Sequence, residues 1–251
     1  MNAILAQLVE HILGKDEVVG SNPIDSSNAK VRKEHLRTFT FNYQNTLSSE
    51  KKGKPKMTEK IPEIILASAS PRRQELLKYI VPEFSIIPAD IDETLPDDIP
   101  AEEAAEFLAV KKAKHISEKN PAGIVIGSDT VVVIDGEILG KPKDTADAER
   151  MLRKLSGKTH SVITGVCISC GNFSDSFSCR TFVKFFPLTD EEIHGYIATG
   201  EPMDKAGAYG IQGKGCLLAE SIDGDFFNVV GLPASLLKRH LEKFIVPLHK
   251  M

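Results

Sequence analysis

The chain changes hydrophobic rhythm as it is followed from residue 62 onward. A short apolar run at 64–67 predicts a buried strand, and 73–79 opens a helix. A second short strand is expected at 84–88. Residues 101–118 carry Ala104, Ala105, Leu108 and Ala113 at helical spacing, which predicts an amphipathic helix. Strands follow at 124–126 and 130–134, then a helix at 146–155 and two paired strands at 161–169 and 177–186. A helix is expected at 190–199, opened by Thr189-Asp190-Glu191-Glu192, a cap residue followed by acidic first-turn residues. The segment 228–233 reads as an apolar strand entering a turn, and 231–244 contains a last helix. This alternation predicts an α/β fold with a mixed twisted sheet and flanking helices.

Residues 1–56 break the pattern. They are polar, rich in Ser, Asn and Lys, and show helical spacing only at 4–12. One reading is a flexible extension. The other comes from the genetic code: 6–11 and 20–23 translate sequences typical of a tRNA D-arm and T-arm, so the reading frame would run upstream through a tRNA gene and Met57 would be the true start. The domain organisation expected is therefore an extension at 1–56 and one globular domain at 57–251.

Charge sharpens the division. Residues 1–56 hold nine Lys/Arg against six Asp/Glu, whereas 57–251 hold 22 against 29. An acidic globular part argues against non-specific binding to a nucleic-acid backbone, so any anion site must be local. No apolar run is long enough to span a bilayer and no secretory leader is read, so a cytoplasmic protein without membrane contact is expected. Cys167 and Cys170 form a C-x-x-C spacing, but on an expected strand these positions face opposite ways, and a buried small-residue role fits them better than a metal or redox role.

The chemistry concentrates at turns. Ser68-Ala69-Ser70-Pro71-Arg72-Arg73 lies between a strand and a helix start, where guanidinium forks and helix N–H groups together suit phosphate. Gly127-Ser128-Asp129-Thr130 follows a buried strand. Asp129 there fits a general base, a metal ligand or a turn aspartate bonded to its own backbone. Lys141 in Gly140-Lys141-Pro142 follows a hairpin-like Asp135-Gly136 turn and could meet phosphate or be an ordinary surface lysine. Asp92-Glu93 offers paired loop carboxylates of the kind that hold Mg²⁺. The glycine-rich window 204–213 carries Tyr209 and Gln212, and a glutamine amide can both donate to and accept from a nucleobase edge. Walker A, Rossmann and serine-hydrolase signatures are missing from the sequence.

Taken in order, S-A-S-P-R-R, D-E, G-S-D-T, G-K-P, L-S-G-K-T-H, D-K-A-G-A-Y-G-I-Q-G and N-V-V-G-L-P resemble the Maf family of septum-formation-inhibitor-like nucleotide pyrophosphatases, over about residues 62–245. The resemblance implies two lobes around a central cleft, as in the related inosine triphosphatase fold. It also implies hydrolysis of a nucleoside triphosphate to the monophosphate and pyrophosphate, in nucleotide-pool housecleaning. It assigns Asp129 and Lys141 to catalysis and Ser68, Ser70, Arg72, Arg73, Thr130 and Gln212 to substrate binding. A divalent cation, Mg²⁺ or Mn²⁺, is implied at Glu93 and Asp129. Arg72, Thr130 and Gln212 match the subgroup preferring dTTP and UTP. The partners expected are the nucleotide and, as one option, a second copy in a homodimer. A nucleotide-binding regulator of septation is the alternative function, and a purine-directed pyrophosphatase is the third.

Overall fold

The computed structural model describes residues 62–249, so the reading of 1–56 lies outside the described residues. The chain divides into two units, 63–237 and a second made of 1–62 with 238–251. In the second, the described part is the C-terminal portion of helix α6 (Ala234–His249), where Lys238 and Glu242 sit one turn apart with 4.0 Å between their charged atoms.

The first unit runs β1 (Ile64–Leu66), α1 (Pro71–Lys78), β2 (Ser85–Ile86), α2 (Ala104–Ser117), β3 (Ile124–Ile134), β4 (Glu137–Leu139), α3 (Thr145–Leu155), β5 (Thr159–Cys170), β6 (Phe173–Phe185), α4 (Asp190–Ile197), three short 3₁₀ turns within 201–218, β7 (Ala219–Asp223), α5 (Phe226–Val230) and the start of α6. The seven strands form one mixed sheet in the order β2-β1-β3-β5-β6-β7, with β4 pairing β3. β1 pairs in parallel with both β2 and β3, and every other pairing is antiparallel.

Two expectations need correction. Residues 124–134 form one continuous strand, so Asp129 lies in its middle rather than at the end of a strand. Gly127 interrupts the apolar run, but the β5 ladder pairs without a break from Val125 to Val133 and holds the backbone extended. Residues 226–230 are helical, not a strand. Asp225 caps them by accepting from the Phe227 N–H at 2.8 Å, which outweighs the β preference of Val229 and Val230.

Alternation along β3 explains the core. Val131 and Val133 pack with Ala104 and Ala105 of α2 and with Ile163. Val132 and Ile134 pack on the opposite face with Ala148, Met151, Leu152 and Leu155 of α3 and with Phe185. Both faces of the strand are covered, so its sequence is nearly all apolar. α2 lies unusually close to the sheet. A Cβ at Gly127 would stand 2.4 Å from the Ala109 carbonyl oxygen and 2.7 Å from the Ala113 nitrogen. A Cβ at Gly165, on the adjoining strand and opposite Asp129, would stand 2.3 Å from the Ala105 backbone. The two glycines form the seat on which the helix rests. Cys167 and Cys170 are free and buried, as expected of small core residues, and burial pushes the Cys167 thiol up to about 12.

Candidate active site

The site begins with a gap in the sheet. One edge of β3 is taken by β5. On the other edge, residues 124–126 pair β1 and residues 132–134 pair β4. Between them, 127–131 have strand pairing on the β5 side alone. Asp129 and Thr130 occupy this stretch and, as neighbours on a strand, point to opposite faces. The cleft that opens here has a volume of about 900 Å³, within the range of pockets that hold small-molecule ligands. Ser68, Ser70, Arg72, Arg73, Glu93, Asp129, Thr130, Lys141 and Gln212 all line it, so the residues expected from the sequence do converge.

The Thr130 side is an arginine-centred network. Ser70 is the N-cap of α1, accepting from the Arg73 N–H at 3.5 Å, and Pro71 occupies the first helical position. Ser68 accepts from the Ser70 N–H at 3.3 Å and from Arg73 Nη1 at 3.2 Å. Arg73 also donates from Nε to the Gly231 carbonyl at 2.8 Å and from Nη2 to Thr130 Oγ1 at 2.9 Å. Thr130 Oγ1 lies 2.9 Å from Thr164 Oγ1, which donates to the Asn228 carbonyl at 2.9 Å. Burial lowers the pKa of Arg73, opposed by the attraction of Asp129. Arg73 therefore holds the turn after β1, β3 and the end of α5 together while presenting its charge to the cleft. Arg72 lines the same cleft outside this network, with Nη1 3.5 Å from Asp204 Oδ2.

The Asp129 side is built on a residue the motifs did not reveal. Lys112, on α2 and only 8% exposed, places Nζ 2.6 Å from Asp129 Oδ1 and 2.7 Å from Glu93 Oε1. Burial raises the Glu93 pKa, but the Lys112 ammonium, with Lys141 and Arg73 further off, outweighs this and holds the carboxyl below its ordinary value. A buried ammonium is costly unless closely paired, and two carboxylates within hydrogen-bond reach supply that pairing. The signal was in the sequence: Lys112 follows Leu108 by four residues and lies on the apolar stripe of α2, where a solvated lysine does not belong. Of the expected pair Asp92-Glu93, Glu93 alone reaches the cleft. Asp92 Oδ1 accepts from the N–H and the hydroxyl of Thr94 within its own loop, at 2.9 and 2.6 Å.

The third wall is the 201–213 segment with the 140–141 loop. The Gly207 N–H donates to the Gly140 carbonyl at 3.0 Å, and Gly207 has φ of 70°, which an L side chain adopts only with strain. The bond joins the loop carrying Gln212 to the loop carrying Lys141, and both side chains are exposed at the cleft. Beneath them Tyr209 and His160 are buried, with His160 Nε2 2.8 Å from the Tyr209 hydroxyl. Burial pulls the His160 pKa down to about 4, so the ring is neutral near neutral pH. Lys205, also unforeseen, donates to Asp204 Oδ1 at 2.5 Å and to the Glu201 carbonyl at 2.6 Å. Asn228 is a fully buried brace: its amide donates to Val162 O and Thr181 Oγ1 and accepts from the Thr164 N–H at 3.2 Å.

The donor set suits one kind of metal. Among the described residues no group of three or more His, Cys, Asp or Glu side chains converges. Two carboxylates, Asp129 and Glu93, share one cation position. Mg²⁺ commonly uses one or two carboxylates and takes its remaining ligands from phosphate and water.

Residues 63–244 match the family model described as Maf-like protein. A dTTP/UTP pyrophosphatase of Bacillus velezensis is 51% identical over 181 residues, which are 72% of this chain and 96% of the relative. A dTTP/UTP pyrophosphatase of Symbiobacterium thermophilum is 49% identical over 187 residues, 74% of this chain and 96% of the relative. The solved structure of the Staphylococcus aureus Ham1 protein is similar with a TM-score of 0.43 and 18% identity, over 72% of this chain and 98% of that one.

Proposed function

The chain belongs to the Maf family, and we propose that it hydrolyses pyrimidine nucleoside triphosphates, dTTP and UTP, at the α–β bond to give the monophosphate and pyrophosphate. The observation that carries this reading is the pairing of Lys112 with both Asp129 and Glu93, in one cleft with Arg72 and Arg73. The named activity of relatives about half identical to this chain supports it.

In this reading Lys112 holds Asp129 Oδ1 in the free protein, and with substrate bound the Asp129 carboxylate orients the attacking water and takes its proton as oxygen bonds to the α-phosphorus. The bond from the α-phosphorus to the bridging oxygen breaks, and pyrophosphate leaves with that electron pair. Arg72 and Lys141 meet the charge that moves onto the leaving group, which is the main catalytic contribution in a transfer of this kind. Arg73 fixes the turn after β1 and adds a positive field. Ser68 and Ser70 shape that turn. Gln212 reads the base edge, and Thr130 acts through the Arg73 fork it accepts from. Glu93 and Asp129 would hold Mg²⁺ or Mn²⁺, which when bound supplies positive charge to the phosphate oxygens.

The test is pyrophosphate release from a panel of dTTP, UTP, CTP, ATP and GTP with Mg²⁺ or Mn²⁺. Preferential turnover of dTTP and UTP is expected. No release from any of them, or release from purines alone, overturns the reading.

A further inference from the structure

The Lys112 ammonium stands where a divalent cation shared by Glu93 and Asp129 would stand, 2.7 Å from one carboxylate oxygen and 2.6 Å from the other. The two cannot occupy it together: a dication and an ammonium at one shared position would repel strongly in a partly buried site. α2 is seated against Gly127 and Gly165 with no space for even a methyl group, so the backbone of Lys112 is held close against β3. Lys112 lines the cleft, so its four-carbon stem can swing into it. The charge around it disfavours a metal arriving alone. Five cationic side chains line the cleft (Arg72, Arg73, Lys112, Lys141 and Lys205) against four carboxylates, Glu93, Asp129, Glu201 and Asp204. A triphosphate, with about four negative charges near neutral pH, reverses that balance and offers Lys112 new acceptors.

We propose that Lys112 is the resident cation of the Glu93–Asp129 pair in the free protein, and that it excludes a divalent ion from those carboxylates until a triphosphate is bound. Metal and nucleotide therefore enter together, and free metal does not preload the site. The proposal rests on the reading of Glu93 and Asp129 as the metal-holding pair given above.

The experiment titrates Mn²⁺ into the full chain, followed by electron paramagnetic resonance of free Mn²⁺ and by thermal melting, with and without a non-hydrolysable α,β-methylene analogue of dTTP. Wild type should bind Mn²⁺ weakly alone and at least about tenfold more tightly with the analogue. Lys112→Met, with Lys112→Gln as a second variant should the first fold poorly, should bind Mn²⁺ alone at least about tenfold more tightly than wild type. Mn²⁺ should also raise the melting temperature of the variant but not of wild type. Adding Glu93→Gln to the Lys112 variant should abolish the gain, which places the ion at this pair. Wild type binding Mn²⁺ alone as tightly as the Lys112 variants overturns the proposal and leaves the metal site standing. Absence of Mn²⁺ binding in every protein, with the analogue present, overturns the metal-site reading itself and the proposal with it.

Discussion

Replacing Gly127 by alanine is the sharpest test of how the fold places Lys112. The added Cβ would stand 2.4 Å from the Ala109 carbonyl oxygen, 2.7 Å from the Ala113 nitrogen and 2.9 Å from the Ala113 Cβ, where ordinary contact begins at 3.4 Å. The nearest atoms are helix backbone, so no flexible side chain can absorb the clash and α2 must retreat by about 1 Å. Overpacking of this kind costs about 1–3 kcal/mol. At roughly 2–4 °C per kcal/mol for a domain of this size, the melting temperature should fall by about 2–12 °C. The same retreat draws Lys112 from its 2.6 Å contact with Asp129, and a misplacement of about 1 Å can cost on the order of a hundredfold in rate. Calorimetry and kcat/KM for dTTP measure the two effects side by side. Gly195→Ala is the control: it sits in α4 with nothing within 4 Å of the new Cβ, and should stabilise by about 0.5–1 kcal/mol with activity unchanged. A Gly127→Ala protein with wild-type melting and full activity would refute the idea that this contact positions Lys112.

Three further outcomes are expected. Asp129→Asn should lower pyrophosphate release from dTTP by about a thousandfold, while circular dichroism shows the fold retained; a rate near wild type would remove Asp129 from the mechanism. Gln212→Ala should raise KM for dTTP by about tenfold, the loss of one hydrogen bond, with kcat and melting temperature little changed; unchanged KM would take Gln212 off the base. His160 is neutral in the fold with a pKa of about 4 against 6.5 for an ordinary histidine. The unfolded chain therefore binds the proton first, and stability present above pH 6.5 is lost as pH falls toward 4. This one group should contribute a loss of about 2 kcal/mol by pH 5. His160→Gln should flatten that part of a denaturant-midpoint profile, and an equally steep profile in the variant would assign the dependence elsewhere.

The turns that carry chemistry were legible in the sequence because Ser, Pro, Gly and Arg at a strand–helix junction have few other uses. Ser70 as the cap of α1 and Thr189 as the cap of α4 both follow from side-chain chemistry. Lys112 was not found because it belongs to no turn or motif. It shows only as a charge on a stripe otherwise made of Ala104, Ala105, Leu108, Ala109, Ala113 and Ile116. Its role depends on α2 approaching β3 and β5 at two glycines far apart in sequence. The continuity of β3 was hidden for a related reason: Gly127, Ser128 and Asp129 are poor strand formers, and the β5 ladder keeps them extended. The Thr130 hydroxyl lies beside that of Thr164 and accepts from Arg73. That bond spans 57 residues, and no local pattern encodes it. The split of the cleft into an arginine side and a carboxylate side follows from Asp129 and Thr130 being adjacent on one strand, which required knowing that they are in a strand at all.

The central claim is that water, positioned at Asp129, attacks the α-phosphorus of a pyrimidine triphosphate and expels pyrophosphate. Hydrolysis of dTTP in ¹⁸O-labelled water, with both products analysed by mass spectrometry, tests it directly. The account predicts dTMP carrying one ¹⁸O and unlabelled pyrophosphate. Label in the pyrophosphate, or release of dTDP with inorganic phosphate, would contradict it.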